Sequence, residues 1–508
     1  MTDRLTDADL ERLSALGIDG ETAERQLDLF RNPPPATKLV RPCTVGDGIV
    51  SLGETRAREL AAHYDREVGA LEPLKFVPAS GAASRMFKAL LANRDRPAPD
   101  ADDPAHDDPE WGQVRLFIDQ LDRFAFAGDL DAELARRGTS VGACRDAGDT
   151  QAILGALLDD DGLAYASKPK ALLAFHRRGD EIRTPLEEQL VEALAYARDA
   201  ESVCRLHFTV SPEHGAGFAA AFERVGPKYR TGGLRFDIET SEQQRSTDTI
   251  AVDEDNRPFR DEDGHVLLRP GGHGALIGNL GAAGGDPVFV KNIDNVVTES
   301  LHDEVVLWKK ALAGLLLEVR AESHRLLERL RDGDGDPSLL DTAAAFLADR
   351  FGIDCPAGDA AGLIGWLDRP LRVCGMVANE SDPGGGPFWV RDRDGAQVRP
   401  QIVETAEVDA SVDEQRRILS ASTHFNPVDL VCSLRRADGT RYDVADYVDR
   451  DAVFLSSKSY AGRPLKALEL PGLWNGAMAG WNTLFVEVPR ATFQPVKTVV
   501  DLLEPAHQ

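Results

Sequence analysis

Leu74-Lys75-Phe76-Val77-Pro78-Ala79 is a short apolar run, Ser80-Gly81-Ala82-Ala83-Ser84-Arg85 follows it, and a helical pattern opens at Met86. This order predicts a strand that feeds a helix through a small-residue loop, where backbone N–H groups and the helix dipole favour an anion. Arg85 at the helix start adds a fixed cation for phosphate oxygens. No Gly-Lys-Ser/Thr occurs in the loop, so it is not a Walker loop. The alternation resumes downstream. Residues 171–176, 203–210, 234–238 and 287–292 read as strands, and 213–225 as a helix. Thr184-Pro185-Leu186-Glu187 opens another helix with a capping box and proline at its first position. Strands alternating with helices predict an open α/β sheet, whose ligands sit at the carboxyl ends of its strands.

Outside this pattern the first 70 residues read as helices around the break Pro33-Pro34-Pro35. Residues 93–110, dense in Asp, Pro and Ala, read as an exposed linker, and 111–158 as helical. A further helical stretch covers about 299–330, an acidic Gly-Asp loop follows at 332–337, and short strands with Gly/Pro turns fill the last third from Leu371. The expected organisation is an N-terminal helical segment 1–70 and an α/β core 71–508. That core carries a helical insertion at about 92–165 and a helical segment at about 299–365. The insertion is expected to be a lid or oligomerisation unit separable from the chemistry.

The 508 residues carry 58 basic and 85 acidic side chains, a formal charge of −27. Length and a 42% hydrophobic content allow a sizeable core. So acidic a chain, without a Lys/Arg run, argues against general nucleic-acid or anionic-membrane binding. Only 12 of the basic residues are lysines, which makes a lysine inside a motif more informative. Six cysteines without a CxxC pair exclude a zinc ribbon and fit a reduced compartment. The acidic start, MTDRLTDADLERL, lacks the apolar stretch of a signal peptide, and no apolar run is long enough to span a bilayer. A cytoplasmic location is expected.

Four further segments hold chemistry-bearing residues. Lys168-Pro169-Lys170 precedes a strand candidate, and the proline fixes the backbone that aims an ammonium; a solvated surface lysine is the simpler reading. Glu242-Gln243-Gln244 follows a strand, and Pro270-Gly271-Gly272-His273-Gly274 lies downstream. An amide can match a base edge, while paired glycines let backbone lie against a flat base or simply make a turn. Asn292-Ile293-Asp294-Asn295 ends an apolar strand with a carboxylate where α/β folds place ligands, and one carboxylate with phosphates and water is how Mg²⁺ is usually held. Lys497 lies between apolar neighbours in 493–503, a strand-like segment in which a buried unpaired ammonium is costly.

In this order the segments resemble the UDP-sugar pyrophosphorylases, the UDP-glucose and UDP-N-acetylhexosamine type of nucleotidyltransferase, as a bacterial branch of that superfamily. Residues 80–86 look like a degenerate Gly-Gly-x-Gly-Thr-Arg nucleotide loop, and Pro169-Lys170 like the Pro-Lys element. Glu242-Gln243 resembles the uracil-contacting segment, 270–274 the Pro-Gly-His-Gly motif, 292–295 the Asn-x-Asp-Asn metal motif, and 493–503 the Phe-Leu-Pro-Val-Lys element. The resemblance implies a Rossmann-like (GT-A-like) mixed sheet flanked by helices, and transfer of a uridylyl group from UTP to a sugar 1-phosphate. It implies Arg85, Lys170 and Lys497 as catalytic cations and Asp294 as ligand of Mg²⁺. Ser80, Gly81, Ala82, Gln243, Gly271 and Gly272 would bind the nucleotide, and His273, Asn292, Glu404 and Asn482 the sugar. The chain departs from the family pattern in three ways. Alanines replace loop glycines, 85 residues separate Arg85 from Lys170, and 11 follow Lys497, too few for a C-terminal β-helix. A catalytically silent nucleotide-sugar-binding protein is the alternative. A dinucleotide oxidoreductase is a weaker one, because no G-x-G-x-x-G opens the first strand–helix unit.

Overall fold

The run at 74–79 forms the strand Leu74–Pro78, buried along nearly its whole length, as suits a parallel strand covered on both faces. The computed structural model describes residues 4–81, 83–97, 108–230, 232–333, 337–380 and 385–508. They divide into two units. One comprises Met1–Phe76, Ser241–Val290 and Trp308–Pro489; the other comprises Val77–Thr240, Lys291–Leu307 and Arg490–Gln508.

The first unit is built on a mixed sheet flanked by helices. Leu371–Ala378 runs parallel to Asn482–Glu487 and antiparallel to Asp429–Ser433. Gly48–Val50 extends the parallel side, and Val288 pairs in parallel with Leu74. Its core gathers Phe76, Val290, Met376, Leu430, Trp481 and Phe485. Lys309 forms a buried ion pair with Asp429. The helices Asp7–Ala15 and Gly20–Arg31 cover a separate cluster of Leu13, Leu27, Ile250, Val252 and Leu468. Three short strands, Lys38–Pro42, Thr44–Val45 and Gly48–Val50, lie within the first 70 residues, which the sequence predicts as helical. Two- to five-residue strands carry too little alternation to be read locally; Lys38–Pro42 and Gly48–Val50 pair far along the chain, with Gly386–Arg391 and Asn482–Glu487, and Thr44–Val45 pairs with Gly48–Val50.

In the second unit Val203–Val210 lies beside the end of Leu74–Pro78, with Ala79 N donating to the Thr209 carbonyl at 3.0 Å. The helix Pro185–Tyr196 starts as expected, its Glu187 N–H capped by Thr184. Residues 111–158 are largely helical, with helices at Pro109–Asp119, Ala127–Arg136, Val141–Ala147 and Thr150–Leu158. Phe117, Phe124, Phe126 and Leu157 share one hydrophobic core with Phe87, Val296, Val496 and Val499, which flank the chemistry-bearing motifs. Residues 98–107 of the expected linker lie outside the described residues. The strand expected at 171–176 is instead a 3-10 turn, Lys170–Leu172, after Pro169, and a short hairpin strand begins only at His176. Residues 493–503 are not a strand either. Pro495 has no N–H to give a sheet, and Thr498 with Asp501 caps the 3-10 turn Val499–Leu503.

Candidate functional site

The long separation of the small-residue loop from the Pro-Lys element disappears in the fold of the second unit. Ala83 N donates to the Lys168 carbonyl at 3.2 Å, and Lys170 N reaches the Gly81 carbonyl at 3.5 Å. Ser211 Oγ holds the Ser80 carbonyl at 2.7 Å. A Cβ added to Gly81 would meet open space. Arg85 ends the turn Ala83–Arg85 with its side chain exposed, and it pairs with no carboxylate among the described residues. Ala82 lies outside those residues.

Lys170 turns inward. Its Nζ donates to Asp294 Oδ2 at 2.9 Å and to the Val496 carbonyl at 2.8 Å, with 14% of the side chain exposed. Lys497 Nζ stands 3.9 Å from the same carboxylate oxygen but is 56% exposed. The simpler reading of Lys170 as a solvated lysine is thus corrected, and so is the expectation of a buried Lys497. Asp294 itself is only 11% exposed. Burial alone would raise its carboxyl pKa, but the Lys170 and Lys497 charges and the Lys170 hydrogen bond outweigh that and hold it below the usual range. The backbone carries this arrangement: Val496 N donates to the Asp294 carbonyl at 3.2 Å, Val499 N to that of Met86 at 3.1 Å, and Lys497 N to Asp501 Oδ2 at 2.7 Å. Two ammonium groups sharing one carboxylate oxygen, beside an exposed guanidinium on a small-residue loop, make a cluster with excess positive charge suited to a polyanion. One carboxylate facing two ammonium groups does not by itself enclose a resident ion. It suits an Mg²⁺ that arrives with phosphate oxygens and waters as its other ligands.

Asn292, in the same unit, contributes its carbonyl to Gln189 Nε2 at 2.9 Å. Its neighbour Lys291 is tied to Glu192 in a buried pair at 2.6 Å.

Two further expected residues, His273 and Glu404, meet in the first unit. His273 Nδ1 accepts from Leu473 N–H at 2.9 Å, so the ring proton sits on Nε2, which faces Glu404 Oε1 at 3.5 Å. The ring stacks on Trp474, centroids 4.4 Å apart and planes 13° apart. Burial would raise the Glu404 pKa, but its hydrogen bonds to His273 and to the Asn475 amide lower it overall. Burial pushes Glu407 the other way, up to about 8. Gln243 Nε2 is buried and has no partner among the described residues. The glycines of the 270–274 motif have a packing explanation of their own. A Cβ at Gly271 would collide with the Thr247 carbonyl and Leu470, and one at Gly274 with the Pro471 carbonyl. Gly272 has φ +78° with Glu469 beside it. Asn482 stands apart from this pair. It occupies the first position of its strand, and its Nδ2 donates to the Trp366 carbonyl at 2.8 Å.

Sequence reading passed over Asn295, Gln189, Trp474 and Glu407. Asn295 was inside a motif, and its amide stitches two loops by accepting from Gln494 N at 2.9 Å and donating to the Thr492 carbonyl at 3.2 Å. Trp474 follows His273 by about two hundred residues and left no local signal.

No curated protein matches the sequence significantly. The fold is similar to that of the UDP-N-acetylglucosamine pyrophosphorylase of Trypanosoma brucei, solved with an inhibitor. The TM-score is 0.50 and the identity 13%, over 99% of this chain and 84% of that one. A UDP-glucose phosphorylase of Trypanosoma brucei aligns at TM-score 0.46 and 13% identity, over 98% and 77% of the two chains. The UDP-glucose pyrophosphorylase of Leishmania major aligns at 0.44 and 14%, over 98% and 79%. At such identity the first of these likenesses is one of fold. A family model, described as Domain of unknown function (DUF4301), matches residues 6–508, and the chain belongs to that family.

Proposed function

We propose that the chain is a sugar-1-phosphate nucleotidyltransferase that converts UTP and a sugar 1-phosphate to a UDP-sugar and pyrophosphate. The observation that carries this reading is the Lys170–Asp294–Lys497 cluster set beside the small-residue loop that ends in Arg85. An oxygen of the sugar phosphate attacks the α-phosphorus in line, the new P–O bond forms as the α–β bridge breaks, and the bridging electrons leave with pyrophosphate. Lys170, Lys497 and Arg85 neutralise the charge that gathers on the leaving group, while binding fixes the two substrates for attack. Asp294 would hold Mg²⁺, which when bound supplies further neutralisation of the phosphates. Gln243 Nε2, buried and without a partner among the described residues, supports the base reading, and His273 with Glu404 the sugar reading.

One observation favours the alternative of a catalytically silent nucleotide-sugar-binding protein: the Lys170 ammonium is already engaged by Asp294 and the Val496 carbonyl. Exchange of labelled pyrophosphate into UTP, in the presence of a panel of UDP-sugars, separates the two. Label in UTP that disappears in the Lys497→Ala variant supports the enzyme. Tight UDP-sugar binding by calorimetry with no exchange supports the binding protein, and ATP binding as tightly as UTP overturns the base reading.

A further inference from the structure

Behind the lysine cluster, within the second unit, lies a buried chain of titratable groups that the proposed reaction does not use. His176 Nδ1 is 2.9 Å from Glu188 Oε1, and His176 Nε2 is 2.9 Å from His507 Nδ1. The two imidazoles stack with centroids 5.2 Å apart, and all three side chains are buried. His507 lies on the same C-terminal segment as Gln494, which belongs to the loop that Asn295 stitches in place and that leads directly to Val496 and Lys497.

We propose that Glu188, His176 and His507 are positioning residues, a hydrogen-bonded clasp that holds residues 490–508 so that the Val496 carbonyl and Lys497 meet Lys170 and Asp294. The groups facing the clasp are few. Arg183 Nη1 stands 3.7 Å from Glu188 Oε2, and the Asp294 charge is felt at His507. Arg177 and Arg178, on the same strand as His176, point instead to the Asp122 carbonyl and to Glu299. Burial and the neighbouring His176 hold His507 down at about 3, below its ordinary 6.5. The unfolded chain thus takes up the proton first, so the clasp contributes in full above about pH 6.5 and weakens as pH falls from there towards 3.

Only the last link, from Lys497 to pyrophosphate, rests on the proposed function. The test reads both links separately: hydrogen–deuterium exchange of peptides covering 490–503, and calorimetric binding of inorganic pyrophosphate alone. His507→Ala and Glu188→Ala are expected to speed exchange there by at least about tenfold and to weaken pyrophosphate binding by about tenfold. Glu188→Gln, whose amide keeps a polar group within hydrogen-bond reach of His176 Nδ1, is expected to keep both within about threefold. His507→Ala combined with Lys497→Ala should weaken binding by less than the product of the two single effects, since part of the clasp's effect passes through that lysine. Unchanged exchange in both alanine variants overturns the clasp, as does a Glu188→Gln variant as loose as Glu188→Ala. Faster exchange with undiminished pyrophosphate binding overturns the link to Lys497. If wild type and Lys497→Ala both fail to bind pyrophosphate, the proposed function falls, and the exchange data still decide the clasp.

Discussion

Lys170 and Lys497 reach the same oxygen of Asp294, one buried and one largely in solvent, and their substitutions should separate accordingly. Lys497→Ala is expected to lower kcat/KM for the proposed reaction by about 10²–10³, as loss of an electrostatic stabiliser does. Its melting temperature should stay near that of the wild type, because an exposed ammonium contributes little to folding. Lys170→Ala should lose activity and also roughly 3 kcal/mol of stability, the lower end for breaking a buried pair, since Lys497 still faces the orphaned carboxylate. Paired kinetics and urea melts check both, and equal melting curves for the two variants would contradict the burial argument. Glu407 gives the opposite kind of signal. Its carboxyl is raised to about 8 from 4.5, so the folded state holds its proton longer than the unfolded chain. Its contribution is full below about pH 4.5 and is lost as pH rises towards 8, a few kcal/mol in all. Glu407→Gln mimics the protonated form and should flatten that slope between pH 5 and 8 in urea titrations.

The long helix Glu299–Arg331 contains Gly314, and its reason is visible only in packing. A Cβ there would run into the carbonyl of Leu60 on the helix Gly53–Glu67. Gly→Ala inside a helix ordinarily gains up to about 1 kcal/mol. Here Gly314→Ala should instead lower the melting temperature, because backbone cannot yield as a flexible side chain can. A stabilised variant would show that the two helices have room to part. The helices between residues 109 and 158 belong to the same class of finding. Phe117, Phe124 and Phe126 pack with Val496 and Val499, so this stretch supports the segment carrying Lys497, where sequence alone suggested an insertion.

For the chain as a whole the largest physical fact is its charge of −27. Like charges on a folded surface repel, and salt screens them within about 10 Å at 0.1 M and about 3 Å at 1 M. Thermal stability is therefore expected to rise as KCl increases from millimolar to molar concentration. The same series run with pyrophosphate present should show weaker anion binding at high salt. Scanning calorimetry across the series checks the first, and a melting temperature that falls with KCl would mean that paired surface charges outweigh the repulsion.

The sequence by itself determined what neighbours along the chain decide: the strand–loop–helix at 74–92, the capped helix at Thr184, the strands at 203–210 and 287–292, and the candidate cations and carboxylate on them. These are patterns of a few residues, set by side-chain period, proline and caps, so they are legible without the rest of the molecule. Three properties were settled only by tertiary structure. Lys170 is buried and Lys497 exposed, because the partner of each is chosen by strands and loops more than a hundred residues away. The loop and the Pro-Lys element lie together although Arg85 and Lys170 are 85 positions apart, because the helices between them pack into one hydrophobic core with the loop's helix. Asn482 points to a carbonyl at the start of its strand, since its end of the strand was fixed by pairing with Leu371. Exposure and contact across long loops are set by which faces find cover, and that information is in no single stretch of residues.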